Sequence, residues 1–164
     1  MRLFIAIRLN DHLTEALVKT QKGAEALGIG GRMTARKNMH VTLAFIGEFE
    51  KPADVIGIMK SIPHEPFEIE TCGICYFGDV LCGKVKVPDE LKKYVAKLRQ
   101  KLADAGIPYD PKPFNPHITL ARKVTGRLDE LTLESRAMKV GYISLMKSAR
   151  NRLGEIEYTE IGRA

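Results

Sequence analysis

The chain has 164 residues, of which 45% are hydrophobic and 28% charged, enough for one domain with a substantial core and ordinary for a globular protein. No apolar run approaches the ~20 residues of a membrane span, and the opening Met1-Arg2-Leu3-Phe4-Ile5-Ala6-Ile7 turns polar too soon for a secretory signal; a cytoplasmic protein with no membrane partner is expected. The net charge of +6 and sequence pI near 9.3 favour polyanionic partners.

In chain order, residues 2–9 read as a strand rich in Leu, Ile and Phe. Asn10 is suited to cap a helix over 11–27, in which Leu13, Ala16, Leu17, Thr20, Ala24 and Leu27 recur at helical spacing. Gly28, Gly30 and Gly31 end it. A strand is expected over 39–47, closed by Gly47. Pro52 opens a second helix to about residue 62, with Val55, Ile56 and Met59 inward. Residues 67–77 and 80–87 form two strands around the turn Gly78-Asp79. Pro88 and Asp89 open a third helix to about residue 105, ended by Gly106. A proline-rich loop over 108–116 leads to a strand over 117–124. Residues 126–133 are expected as a turn or short helix, and 137–147 and 153–161 as two last strands. The fold class is therefore α+β, with residues 1–164 as a single domain made of two similar lobes, each giving one strand to a shared cleft.

Those two strands carry a duplicated pattern. Asn38-Met39-His40-Val41-Thr42-Leu43-Ala44-Phe45 and Asn115-Pro116-His117-Ile118-Thr119-Leu120-Ala121-Arg122 match at five positions. In a strand, alternate side chains share a face. His40 and Thr42 point one way, as do His117 and Thr119, while Val41, Leu43, Ile118 and Leu120 anchor the opposite faces. Two imidazoles converging on one group supply a general acid and a general base, and two hydroxyls beside them donate to an oxyanion. That set suits in-line displacement at phosphorus and needs neither metal nor cofactor. A lone H-x-T in a strand is more often a hydrogen-bonded core histidine beside a β-forming threonine; the duplication is what favours chemistry. His12 is expected at the surface, and His64 is assigned no role.

Basic residues gather near both copies: Arg32, Arg36 and Lys37 before the first, Lys112 before the second, Arg122 and Lys123 at its end, with Lys147, Arg150 and Arg152 as a later group. Part of this set is expected to line a phosphate-binding surface. The odd number of cysteines (Cys72, Cys75 and Cys82) argues against a disulfide framework. Cys72-Gly73-Ile74-Cys75 is a C-x-x-C, the pattern of half a zinc site or a redox pair. It lies in a strand-like run without a second C-x-x-C, so structural thiols and no metal are expected.

The pair HVTL at 40–43 and HITL at 117–120 resembles the H-x-T-x signature of the two-histidine (2H) phosphoesterases. Within these, the chain is similar to the RNA 2′,3′-cyclic phosphodiesterases first known as 2′-5′ RNA ligases. The likeness runs from the opening RLFIAI through Pro66-Phe67, Val80-Leu81 and Lys112-Pro113-Phe114 to Ser148. It implies a bilobed fold with pseudo-two-fold symmetry, antiparallel sheets lining a central cleft and helices packed outside. It also implies metal-independent hydrolysis of an RNA 2′,3′-cyclic phosphate end to a 2′-phosphomonoester. On that precedent His117 is the proton acceptor and His40 the proton donor; Thr42, Thr119 and Arg122 bind phosphate. Strict alternation puts Arg122 on the face opposite His117, so its role requires the strand to bulge or end before it. Phe45, at the equivalent place in the first copy, is a candidate for stacking on a nucleobase and equally a core residue. Met33 and Cys82 stand where relatives often carry aromatic residues. Two other readings stay open: 2′-5′ joining of tRNA half-molecules, which is the same chemistry reversed, and a non-catalytic RNA-binding module. RNA ends, tRNA fragments among them, are the expected partners of a monomer.

Overall fold

Leu3-Phe4-Ile5-Ala6-Ile7 has no polar break, the pattern of a strand covered on both faces. In the computed structural model, which describes residues 1–127 and 129–164, it forms β1 (Arg2–Arg8), with all five residues buried. β1 lies between β3 (His40–Glu48) and β8 (Ser144–Arg150) in an antiparallel sheet of four strands, with β9 (Ile156–Arg163) beyond β8. A second antiparallel sheet of five strands runs in the order β2 (Gly30–Met33), β6 (His117–Thr125), β5 (Val80–Lys86), β4 (Phe67–Phe77) and β7 (Ala137–Val140). Each sheet holds one copy of the motif, on β3 and on β6, and these two strands approach each other where the sheets meet.

Helices cover the outer faces. α1 (Asp11–Ala26) begins at Asn10, whose side-chain oxygen accepts from the Leu13 amide at 2.9 Å. Its stripe of Leu13, Ala16, Leu17 and Ala24 is buried, and it packs on β6 and β7. α2 (Pro52–Lys60) buries Val55 and Met59 and packs on β9; α3 (Asp89–Asp104) buries Leu91, Val95, Leu98 and Leu102 and packs on α2 and β3. This is the expected α+β arrangement of two lobes around a cleft.

Two expectations change, and a third lies partly outside the described residues. The stretch after α1, read as a glycine-rich ending, contains β2. Gly31 explains how: a Cβ there would meet the Arg122 carbonyl oxygen at 3.0 Å, and its φ is +142°, so glycine lets this edge lie close against β6. The run 137–147 is two strands, not one. It breaks at Gly141-Tyr142-Ile143, leaving β7 in one sheet and β8 in the other, while β9 starts three residues later than the expected residue 153. The turn or short helix expected over 126–133 includes Leu128, which lies outside the described residues; Asp129 and Glu130 form a turn, and no helical residue flanks them among the described residues.

Candidate active site

Both motif strands break alternation at the same point. In β3, Thr42 pairs with Ala6 but Ala44 pairs with Ile5, leaving Leu43 as an extra residue. In β6, Thr119 pairs with Cys82 but Ala121 pairs with Leu81, leaving Leu120 extra. Each is a β-bulge, and it turns two successive side chains inward: Leu43 and Ala44, and Leu120 and Ala121, are all 0% exposed. The Leu-Ala of the motif is thus the part that makes the bulge. Beyond it, position 45 and position 122 return to the histidine face. Arg122 therefore lies with His117 and Thr119 on the cleft wall, meeting the condition set by the sequence, and Phe45 occupies the equivalent place beside His40 and Thr42.

The two imidazoles are held identically. Nδ1 of His40 lies 2.7 Å from the Asn38 carbonyl oxygen, and Nδ1 of His117 lies 2.7 Å from that of Asn115. A carbonyl only accepts, so each Nδ1 carries the hydrogen and each Nε2 is left for chemistry. Nε2 of His40 lies 2.9 Å from the Thr42 hydroxyl. The His40 ring packs against Phe4 and Tyr158, with centroids 4.9 and 5.3 Å away, and the His117 ring against Phe77 at 5.1 Å. Burial pushes the His40 pKa below the ordinary imidazole value. The bond to the Asn38 carbonyl opposes that shift, and repulsion from His117 and Arg122 adds to it.

His40, Thr42, His117, Thr119 and Arg122 line one cleft of about 790 Å³, together with Lys147 and Arg150 from β8. All five candidate residues are thus brought to one place. Sequence reasoning missed Phe4, Tyr158 and Phe77 as ring supports and Arg2 as a wall residue, the last lying 5.0 Å from the Phe45 ring centroid. The unbroken apolar run of β1 was a signal for Phe4: with Leu3, Ile5 and Ile7 in the main core, the other face of β1 had to be covered as well. Nothing local marks Tyr158 or Phe77. Of the remaining cations, Arg32 and Lys37 line a hollow next to the cleft, Lys112 faces Asp110, Arg36 faces Asp11, and Lys123 and Arg152 line neither the cleft nor that hollow. His12 is exposed, and His64 bonds the Ala164 carbonyl away from the cleft.

The three cysteines are free thiols. Cys82 lies beside Thr119, its partner in the register, on the same face of the sheet, and burial pushes its pKa up to about 12; burial also raises that of Cys75. Neither is an activated nucleophile. Among the described residues no group of three or more His, Cys, Asp or Glu side chains is arranged to hold a metal ion.

Similarity to known proteins agrees with this geometry. A family model described as LigT like Phosphoesterase matches twice in succession, over residues 7–85 and 83–154, and each match contains one H-x-T-L-A copy. The RNA 2′,3′-cyclic phosphodiesterase of Escherichia coli (strain K12) is 32% identical over 74% of this chain and 71% of its own length. That of Aquifex aeolicus (strain VF5) is 28% identical over 98% of this chain and 95% of its own. Among solved structures, E. coli LigT complexed with 3′-AMP superposes with a TM-score of 0.87 at 27% identity, covering 99% of this chain and 96% of that one. The protein TT0787 of Thermus thermophilus gives 0.86 at 26% identity, with coverage of 99% and 96%. The chain belongs to the LigT-like phosphoesterase family.

Proposed function

We propose that this protein hydrolyses RNA ends bearing a 2′,3′-cyclic phosphate to 2′-phosphomonoesters, using its own two imidazoles and no metal ion. The observation that carries this reading is the matched presentation of two Nε2 atoms across one cleft, each fixed by a carbonyl 2.7 Å from Nδ1. Relatives at moderate identity over most of the chain are named for this activity.

The ring of His117 is anchored by a solvent-exposed bond and that of His40 by a part-buried one, so water reaches His117 more readily. His117 takes a proton from that water as its oxygen attacks phosphorus. The bond from phosphorus to the 3′ oxygen breaks, and His40 gives that oxygen a proton. Thr42, Thr119 and Arg122 hold the non-bridging oxygens as charge builds on them. In the free protein His40 is biased towards its neutral form. A bound phosphate anion opposes the repulsion from His117 and Arg122, so the substrate helps to load the acid with its proton.

Incubation with an oligonucleotide ending in a 2′,3′-cyclic phosphate, with and without EDTA, tests the reading. A 2′-phosphomonoester formed at the same rate in both is expected. A 3′-phosphomonoester, or loss of turnover on chelation, contradicts it. RNA half-molecules supplied in the same assay and joined through a 2′-5′ bond in preference to hydrolysis would identify a ligase instead.

A further inference from the structure

Arg32 and Arg122 stand directly opposite each other on β2 and β6. Like charges so placed repel and weaken a sheet. Among the described residues neither guanidinium has a carboxylate within ion-pair distance, and both side chains are exposed. An anion held between them turns that repulsion into two charge-assisted contacts.

Arg122 also lines a second hollow beside the cleft, of about 410 Å³, walled by Arg32, Lys37, Arg122 and Arg150. The two spaces share Arg122, Arg150, Asn38 and Tyr158 among their walls, so they adjoin. The positive charge in this hollow is little compensated. Among the described residues Glu155 is the one acidic residue on its wall, and its carboxylate accepts from Asn151 at 3.0 Å. Lys37 faces Glu157 at 3.7 Å with both side chains more than half exposed, a pairing of little strength. Arg150 spends one N–H on the Gly154 carbonyl. Leu153, 83% exposed, and Ile156, 37% exposed, add apolar surface beside these cations.

The hollow on the other side of the cleft differs. Its Arg99 is committed to the carbonyl oxygens of Leu43 and Lys112, which leaves Lys112, in an exposed and equally weak pairing with Asp110, as its one cation besides the shared Arg122. A 2′,3′-cyclic phosphate sits at a 3′ end, so a polynucleotide leaves the site only in the 5′ direction and needs one exit. The basic hollow provides it: single strands are held by cations that track the backbone and by side chains that contact base faces.

We propose that the hollow walled by Arg32, Lys37 and Arg150 holds the RNA strand 5′ to the cyclic phosphate, with the first internucleotide phosphate lodged at the Arg32–Arg122 pair, so that oligonucleotides are preferred to free cyclic nucleotides. This rests on the phosphodiesterase reading above and extends it to the class of substrate. The test compares wild type with the Arg32→Ala/Lys37→Ala double variant on two substrates, a nucleoside 2′,3′-cyclic monophosphate and a five-nucleotide RNA ending in the same group. Wild type is expected to favour the oligonucleotide in kcat/KM by on the order of tenfold or more, the effect of one or two charged contacts. The double variant loses that preference, chiefly through KM, while its rate on the mononucleotide is unchanged. The salt dependence of the oligonucleotide reaction falls by about 0.7 in log–log slope for each phosphate contact removed. Because removing Arg32 relieves repulsion, the variant melts no lower than wild type. Equal kcat/KM for both substrates in wild type, or a preference that survives in the variant, overturns the proposed strand path and leaves the phosphodiesterase reading standing. Turnover of neither substrate overturns both.

Discussion

His40→Ala and His117→Ala are each expected to lower turnover of a cyclic-phosphate RNA end by about 10²–10⁴, the range for one positioned proton transfer, equivalent to about 3–5 kcal/mol of barrier. In the proposed mechanism the two rings act on one displacement, one removing a proton as the other supplies one. Losing either leaves the remaining ring without its complement. The double variant is therefore expected to lose little more than the worse single variant, because residues that work as a unit are strongly non-additive. His40 also packs on Phe4 and Tyr158, so a melting curve for each variant separates lost chemistry from lost packing. Single variants that fold like wild type and keep near-wild-type kcat would remove the imidazoles from the mechanism.

Leu43→Ala and Leu120→Ala are expected to be the costly substitutions for stability among the motif residues. Both side chains are fully buried at the bulges. Truncating a buried leucine costs about 2–5 kcal/mol through lost transfer energy and the cavity left behind. In a chain of this size that corresponds to roughly 5–20 °C in Tm. Each bulge also sets the face on which Phe45 or Arg122 emerges. A collapsed or shifted bulge at Leu120 turns Arg122 away from His117, so Leu120→Ala is expected to raise KM in the surviving folded fraction. Thermal denaturation and kinetics on the same preparations check both effects. A Tm within about 2 °C of wild type for both variants would show that the bulge leucines do not anchor the strands.

The placing of each histidine with a threonine on one strand face was legible in the sequence because the pattern is written locally and twice. Period-two alternation set the shared face of His40 with Thr42 and of His117 with Thr119. Alternation by itself misplaces Arg122, and the extra residue that corrects it appears only in the pairing of β6 with β5. Helix starts at Asn10, Pro52 and Asp89 were legible for the same local reason, each marked by a cap or a proline. What the sequence hid depends on distant partners. Gly30-Gly31-Arg32-Met33 looks like a helix ending until β6 lies beside it. The run 137–147 reads as one strand because nothing within it says that its halves join different sheets. Tyr158 and Phe77 reach the histidine rings from strands far away in the chain.

The central claim is that His40 and His117 act on a single phosphate. Of the four histidines in the chain, two lie outside the cleft and serve as internal controls. Histidine ring proton resonances followed by NMR, with a nucleoside 2′-monophosphate as ligand and over a range of pH, test the claim most directly. In the free protein His40 is expected to titrate below the ordinary imidazole value of 6.5; the neutral ring then prevails from that lowered pKa upward, and bound phosphate moves the midpoint to higher pH. The His40 and His117 signals are expected to respond to the ligand together, saturating at one common concentration, while those of His12 and His64 stay fixed. A ligand that shifts only one of the two cleft histidines, or neither, would contradict the account.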